Sequence, residues 1–196
     1  MKKLIPKNSL LIPDGAVKAY EGRIYQHYEW QQELFDGSSQ TFEMLKRKDT
    51  VSVIGIVNDK ILVIDDNQSF KGHRKSFPGG SVDEADASWL AAAKRELAEE
   101  TGYGFDSWRL IKVTQPFDEI EWFACLFLAW GNPREFGQNT DAGEQITVAS
   151  LSFDAVKDLV LTDSYHLGVH ADIFSKAESI HDLLDFPTFD GQEVDR

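Results

Sequence analysis

Cysteine is nearly missing from this chain. Cys125 is the only one in 196 residues, which excludes an intramolecular disulfide and a cysteine-rich zinc site and fits a reducing, cytoplasmic setting. Long apolar runs are missing too. The longest, within Trp122 to Trp130, has the length of a strand, far short of the roughly 20 residues a membrane-spanning helix needs. The opening Met1-Lys2-Lys3-Leu4-Ile5-Pro6-Lys7 is basic but has no signal-peptide core, so the expectation is a soluble protein with no membrane partner. Basic residues are few: 20 Lys and Arg stand against 33 Asp and Glu, a net charge of −13. Surfaces that coat a phosphate backbone draw affinity from clustered Lys and Arg, so no nucleic-acid partner is expected. A small anionic substrate is still allowed, because bound divalent cations reverse the local charge of an acidic site. Internal repeats, low-complexity tracts and serine-nucleophile motifs are absent, and of five histidines only His166 and His170 stand four apart, with no third zinc ligand nearby.

What is present is enough apolar sequence, 42% hydrophobic and 12% aromatic, to bury one sizeable core. Lys18 to Phe35, the turn Asp36-Gly37-Ser38-Ser39 and Thr41 to Leu45 read as a hairpin. Val51 to Val57 and Ile61 to Ile64 are β-branched runs joined by Asn58-Asp59-Lys60, a second hairpin. Lys71 to Gly80 reads as a polar connection that Pro78-Gly79-Gly80 makes irregular, followed by the acidic loop Asp83-Glu84-Ala85-Asp86. Strong helix formers then run from about Ser88 to Thr101, with Asp86 and Ser88 as capping candidates and Gly102 as the stop. Strands are expected at Trp108 to Val113, Ile120 to Trp130 and Ile146 to Leu151, and helices at Phe153 to Leu159 and His166 to Ala177. The order gives a mixed α+β fold: an N-terminal β element over 1–47, a main domain over 48–180 and a loose acidic tail over 181–196.

Chemistry concentrates on the helix. At about 100° per residue, Leu90, Ala93 and Leu97 share one face, and Glu96, Glu99 and Glu100, spaced by three and four, project together beside it. Arg95, four residues before Glu99, is placed to pair with it, which would leave Glu96 and Glu100 for another cation. A solvated acidic face reads the same residues equally well, since like-charge neighbours on an exposed helix cost only about 0.2–0.5 kcal/mol per pair. Hard divalent ions that take carboxylates together with substrate phosphates are the functional alternative.

Gly79-Gly80, the acidic loop and Arg95-Glu96-Leu97-Ala98-Glu99-Glu100-Thr101-Gly102-Tyr103 together resemble the Nudix box, whose second half, R-E-U-x-E-E-x-G-U, is complete here. One departure stands in the first half. Asp86 occupies the place of the family's first glutamate, and eight residues rather than seven separate it from Arg95, leaving Asp86 and Glu84 as alternatives. The resemblance implies a Nudix-like α/β/α sandwich with an N-terminal antiparallel hairpin element. It also implies Mg2+ or Mn2+ as cofactor, with Gly79, Glu96, Glu99 and Glu100 on the metal and Arg95 and Glu99 in the catalytic set.

More weakly, Glu33-Leu34-Phe35-Asp36-Gly37, Phe42-Glu43, Arg47 and Gln68 resemble the ADP-ribose and nucleoside diphosphate sugar pyrophosphatase branch. That branch implies a small nucleotide substrate, a homodimer, and a further ligand or base at Glu144, with Asp141 as a displaced candidate because Ala142 fills the other acidic position. Arg47 and Arg74, with Lys71 and Lys75, are candidates for holding a diphosphate. A sensor that binds a nucleotide sugar without cleaving it is the competing class of function, disfavoured by the retention of every helix carboxylate.

Overall fold

A computed structural model of the chain describes residues 1–68, 72–140, 144–162 and 167–196, without the side chains of Gln68 and Glu144. Strands β1 (Lys2–Ile5), β2 (Val17–Glu21), β3 (Gln26–Glu33), β4 (Ser39–Lys46), β5 (Thr50–Val57), β6 (Lys60–Gln68), β7 (Gly72–Ser76) and β8 (Gly79–Ser81) precede helix α1 (Trp89–Thr101). After it come β9 (Tyr103–Gly104), β10 (Ser107–Thr114), β11 (Ile120–Glu121), β12 (Ala124–Trp130), β13 (Arg134–Glu135) and β14 (Glu144–Leu151). Helix α2 (Phe153–Thr162), a 3-10 turn at Leu167–His170, α3 (Ala171–Phe174), α4 (Ile180–Leu184) and β15 (Gln192–Asp195) complete the chain.

The central sheet has the order β10-β12-β5-β6-β14, with β7 added to β6 and β8 to β5. β12 runs parallel to β5 and the other neighbours antiparallel. Its inner strands β12, β5 and β6 are apolar on both sides, as strands covered on both faces must be. Val51, Val53, Cys125 and Phe127 face one core together with Trp89, Ala93 and Leu97 of α1. Ile54, Ile56, Leu126 and Leu128 face a second core with Phe153, Val156 and Phe174 from the C-terminal helices. The expected mixed α/β/α sandwich follows from this alternation. Asn58 and Asp59 turn β5 into β6 with φ of 48° and 58°, the left-handed pair that a two-residue hairpin loop requires.

Five readings change. The helix expected over His166–Ala177 is a 3-10 turn at Leu167–His170 followed by the short α3, with His166 outside the described residues. The Lys18–Phe35 run is two strands, β2 and β3, broken at Gly22, whose N–H donates to the Tyr25 carbonyl at 2.8 Å. Ile120–Trp130 also divides: β11 pairs with β4 in the N-terminal sheet, whereas β12 enters the central one, because Trp122 and Phe123 carry the chain between sheets. The polar connection before the glycines holds β7, laid on β6 with Arg74 opposite Asp66. Finally, the segment read as a loose tail carries α4 and β15, and β15 pairs along the whole of β1 from Lys2↔Asp195 to Ile5↔Gln192. Alternation in Gln192-Glu193-Val194-Asp195 is too short and too acidic to announce a strand, and the pairing is supplied by the other end of the chain.

The second core contains one polar flaw. His170, at the end of the 3-10 turn, packs its ring 5.4 Å from Phe77, and its Nδ1 is sealed from solvent without a hydrogen-bond partner among the described residues. Burial, with Lys112 adding to it and Asp172 opposing, pushes its pKa down to about 4 from 6.5. The unfolded chain therefore takes the proton first. Stability is fully present above about pH 6.5 and is lost as the pH falls toward 4, by roughly 3 kcal/mol at one proton. Urea unfolding of the wild type and His170→Phe at pH 7 and pH 4 should show the wild type losing more stability between those pH values; equal losses would overturn this assignment.

Candidate active site

Helix α1 begins where Ser88, extended at φ −164°, accepts a hydrogen bond from the Ala91 N–H at 3.1 Å, so Ser88 and not Asp86 is the cap. It ends at Gly102, left-handed at φ 73°, whose N–H donates to the Ala98 carbonyl at 2.9 Å. The buried stripe of Ala92, Ala93 and Leu97 fixes its rotation against β5. Glu100 is consequently turned inward, at 8% exposure, and Glu96 and Glu99 lie at the margin of the stripe.

Pro78-Gly79-Gly80 delivers backbone to these carboxylates. Gly79, at φ 155°, runs so close to β5 that a Cβ there would stand 2.1 Å from the Val51 carbonyl oxygen. Its N–H donates to Glu100 Oε2 at 2.7 Å. A Cβ on Gly80 would fall 2.6–2.7 Å from the Glu96 carboxylate atoms. Glycine is required at Gly79 because β5 backbone occupies the space a side chain would fill, whereas at Gly80 that space is taken by the Glu96 carboxylate.

Arg95 is the hub of the cluster. Nη1 donates to Glu96 Oε1 at 2.9 Å and to Glu99 Oε2 at 3.0 Å, and Nη2 donates to the Ser81 carbonyl at 3.0 Å. Nε and Nη2 grip the two oxygens of Asp86 at 3.2 and 2.9 Å. Pairing with Glu99 matches the helical spacing, but Arg95 does not leave Glu96 aside as that spacing suggested, because one nitrogen reaches both carboxylates. The hydrogen bond to Asp86, followed by the neighbouring glutamates, raises the guanidinium far above its ordinary range. Asp86 is in turn held below the usual carboxylate range by Arg95. Of the two acidic-loop alternatives, Asp86 is buried against the arginine and Glu84 is exposed. The additional residue is absorbed before the helix starts. Glu96 behaves oppositely: burial raises its pKa, and Arg95 offsets only part of this.

The site has a second anchor that sequence reasoning missed. The segment following β13 folds onto the C-terminal turn of α1, where Gln138 Nε2 donates to the Glu100 carbonyl at 2.6 Å and the Asn139 N–H donates to the Glu99 carbonyl at 2.9 Å. These bonds satisfy carbonyls that a helix end leaves open. Nothing in Phe136-Gly137-Gln138-Asn139 marks it as a helix-capping segment. Asp141, Ala142 and the Glu144 side chain, the proposed base region, lie outside the described residues, as do Lys71 and His166.

The two candidate diphosphate arginines each have partners within the protein. Arg47 lies over the Trp122 ring at 4.4 Å and 5.8 Å from that of Tyr25, with its Nε buried. Arg74 donates through Nε and Nη2 to the buried Asp66 at 3.1 and 2.8 Å.

Residues 46–169 match the family model of the NUDIX domain. An uncharacterized Nudix hydrolase, NudL, of Citrobacter koseri is 46% identical over 48 residues, 24% of this chain and 25% of that protein. The NudL protein of Escherichia coli O1:K1 / APEC is 29% identical over 106 residues, 53% of this chain and 51% of that protein. The chain thus spans about half or less of the curated relatives it matches. A crystal structure of an ADP compounds hydrolase superposes with a TM-score of 0.67 over 93% of this chain and 96% of that one, at 19% identity, a likeness of fold. With the family model spanning well over half its length, and the motif's arginine and glutamates on one helix against its glycine strand, the chain belongs to the Nudix family.

Proposed function

We propose that the protein hydrolyses the pyrophosphate bond of ADP-ribose or a related nucleoside diphosphate sugar, with Mg2+ or Mn2+ as cofactor. One observation carries the reading: Glu96, Glu99 and Glu100 converge beside the Gly79–Gly80 backbone, the first two held by Arg95 and the third by the Gly79 N–H. The donor set is all oxygen, Glu96 and Glu100 are largely enclosed, and a Cβ on Gly80 would crowd the Glu96 carboxylate. These features suit a hard divalent ion, which Gly79, Glu96, Glu99 and Glu100 would hold. Such an ion, when bound, neutralises diphosphate oxygens and eases loss of a proton from the attacking water.

The chain's own groups do the rest. Asp86 fixes Arg95, Arg95 fixes the rotamers of Glu96 and Glu99, and the Gly79 N–H fixes Glu100, so the charge is preorganised before substrate arrives. Glu144, or Asp141 beside it, is the proposed acceptor of the water proton. Arg47 and Arg74 are the proposed diphosphate contacts. A homodimer built on the N-terminal sheet is supported by β2, every residue of which is exposed, including Val17 and Tyr20 at 68% and 67%.

Incubation of the purified protein with Mg2+ and a panel of nucleoside diphosphate sugars, dinucleotides and nucleoside triphosphates tests the proposal. Formation of AMP and ribose 5-phosphate from ADP-ribose is expected. Preferential cleavage of triphosphates would reassign the substrate, and tight calorimetric binding of ADP-ribose with no product would make the protein a sensor.

A further inference from the structure

The N-terminal sheet carries a second group of metal-ligating side chains, remote in sequence from the helix motif. His27 and Glu29 are two residues apart on β3 and therefore share a face. Glu43 on β4 stands directly opposite Glu29 in the antiparallel register and diagonally from His27. One donor atom from each lies within 4.8 Å of the others. His27 Nε2 is 2.9 Å from Glu43 Oε2, and Nδ1 is 3.8 Å from Glu29 Oε1.

Directly opposed like charges destabilise a ladder, and among the described residues no lysine or arginine is ion-paired with either glutamate. Among the described residues the ion pairs of Glu29 and Glu43 are with His27. The nearest lysines in the register, Lys18 opposite Tyr28 and Lys46 opposite Gln26, project from the other face, where they bind Glu21 and Glu121 at 2.6 Å. Two anions are thus held against one imidazole by regular backbone, with no loop to let them separate. Bonds of about 2.0–2.2 Å to imidazole nitrogen and carboxylate oxygen place ligand atoms about 3 Å apart, close to the separation already present between His27 and Glu43. The side chains of Glu29 and Glu43 are 44% and 71% exposed, which leaves room for waters, whereas His27 is 27% exposed and anchored.

We infer that His27, Glu29 and Glu43 form a surface site for a divalent transition-metal ion of the zinc, nickel or cobalt class, distinct from the hard-ion site on α1. Nitrogen with two carboxylates suits these metals better than Mg2+, which favours oxygen alone. Bound there, the ion cross-links β3 to β4 and converts the opposed glutamates from a repulsive pair into a clamp.

The test is titration with zinc chloride, followed by calorimetry, in buffer already containing Mg2+. A variant combining Glu96→Gln with Glu100→Gln should still bind one Zn2+ per chain, and Co2+ should give it a visible ligand-field spectrum. Adding His27→Ala or Glu43→Gln should weaken Zn2+ by more than about tenfold. Because the Glu43 side chain is mostly exposed, Glu43→Gln remains informative even if His27→Ala fails to fold. Absence of Zn2+ binding in the helix variant, or binding indifferent to both substitutions, would overturn the inference. Neither result depends on whether the protein hydrolyses a nucleotide.

Discussion

Glu100→Gln is expected to lower kcat for the preferred nucleotide by about a thousandfold, close to 4 kcal/mol of transition-state stabilisation. The substitution keeps shape and removes charge. Its amide oxygen can still accept the Gly79 N–H that Glu100 Oε2 now binds at 2.7 Å, so the loop and helix should stay joined and the circular dichroism unchanged. What is lost is one of the anionic ligands proposed to neutralise the diphosphate, in a position too enclosed, at 8% exposure, for solvent to replace it. Glu96→Gln should behave alike. Glu99, 39% exposed and shared with Arg95, should matter less. Steady-state kinetics with Mg2+ decide the matter, and a Glu100→Gln enzyme within threefold of wild type would remove this helix from the chemistry.

The helix that carries this prediction was readable because several local signals agree on it. Ser88 and Gly102 bracket it, its apolar positions recur at helical spacing, and the three glutamates fall beside that stripe. The β5–β6 hairpin was readable for the same reason, since Asn58-Asp59 suits the left-handed turn between two β-branched runs. The misread parts depend on pairing rather than on local propensity. β7 has poor strand propensity and exists because β6, just before it in the chain, offers it an edge, and β15 exists because β1, at the far end of the chain, does. The Arg95–Asp86 bond was unreadable because an added residue obscured the motif spacing, yet the distance is closed in space by the turn before Ser88. Asp49 was invisible altogether. Next to Lys46-Arg47-Lys48 it has the look of a solvated loop charge, and only the folded chain shows how deeply it is buried.

Asp49→Ala should accordingly be among the most destabilising single substitutions in the protein. At 6% exposure the carboxylate joins three separate stretches of chain. Lys3 Nζ of β1 lies 2.7 Å from Oδ2, the indole N–H of Trp89 in the first turn of α1 donates to the same oxygen at 2.9 Å, and the Phe123 N–H donates to Oδ1 at 3.0 Å. Removing it leaves a lysine that is 14% exposed and two buried N–H groups without their acceptor. Breaking a buried pair from one side costs about 3–5 kcal/mol, equivalent to about 6–20 °C in Tm for a chain of this size. Asp49→Asn, which keeps an acceptor oxygen but not the charge, should lose less, about 1–3 kcal/mol. Lys3→Met should recover part of the loss in the Asp49→Ala background, because the orphaned cation is then gone. Calorimetric unfolding of the wild type, the three single variants Asp49→Ala, Asp49→Asn and Lys3→Met, and the Asp49→Ala/Lys3→Met double variant tests the arrangement, and additive losses without this rescue would show that Lys3 and Asp49 act independently. The consequence for the site is indirect but measurable: Trp89 anchors the start of the helix whose end carries Glu99 and Glu100. Well below its lowered Tm, Asp49→Ala should retain kcat within about threefold of wild type, since the carboxylate bonds Lys3, Trp89 and Phe123 rather than the glutamates. A much larger fall in kcat in the folded variant would mean that the Asp49–Trp89 bond helps to set the position of the glutamates.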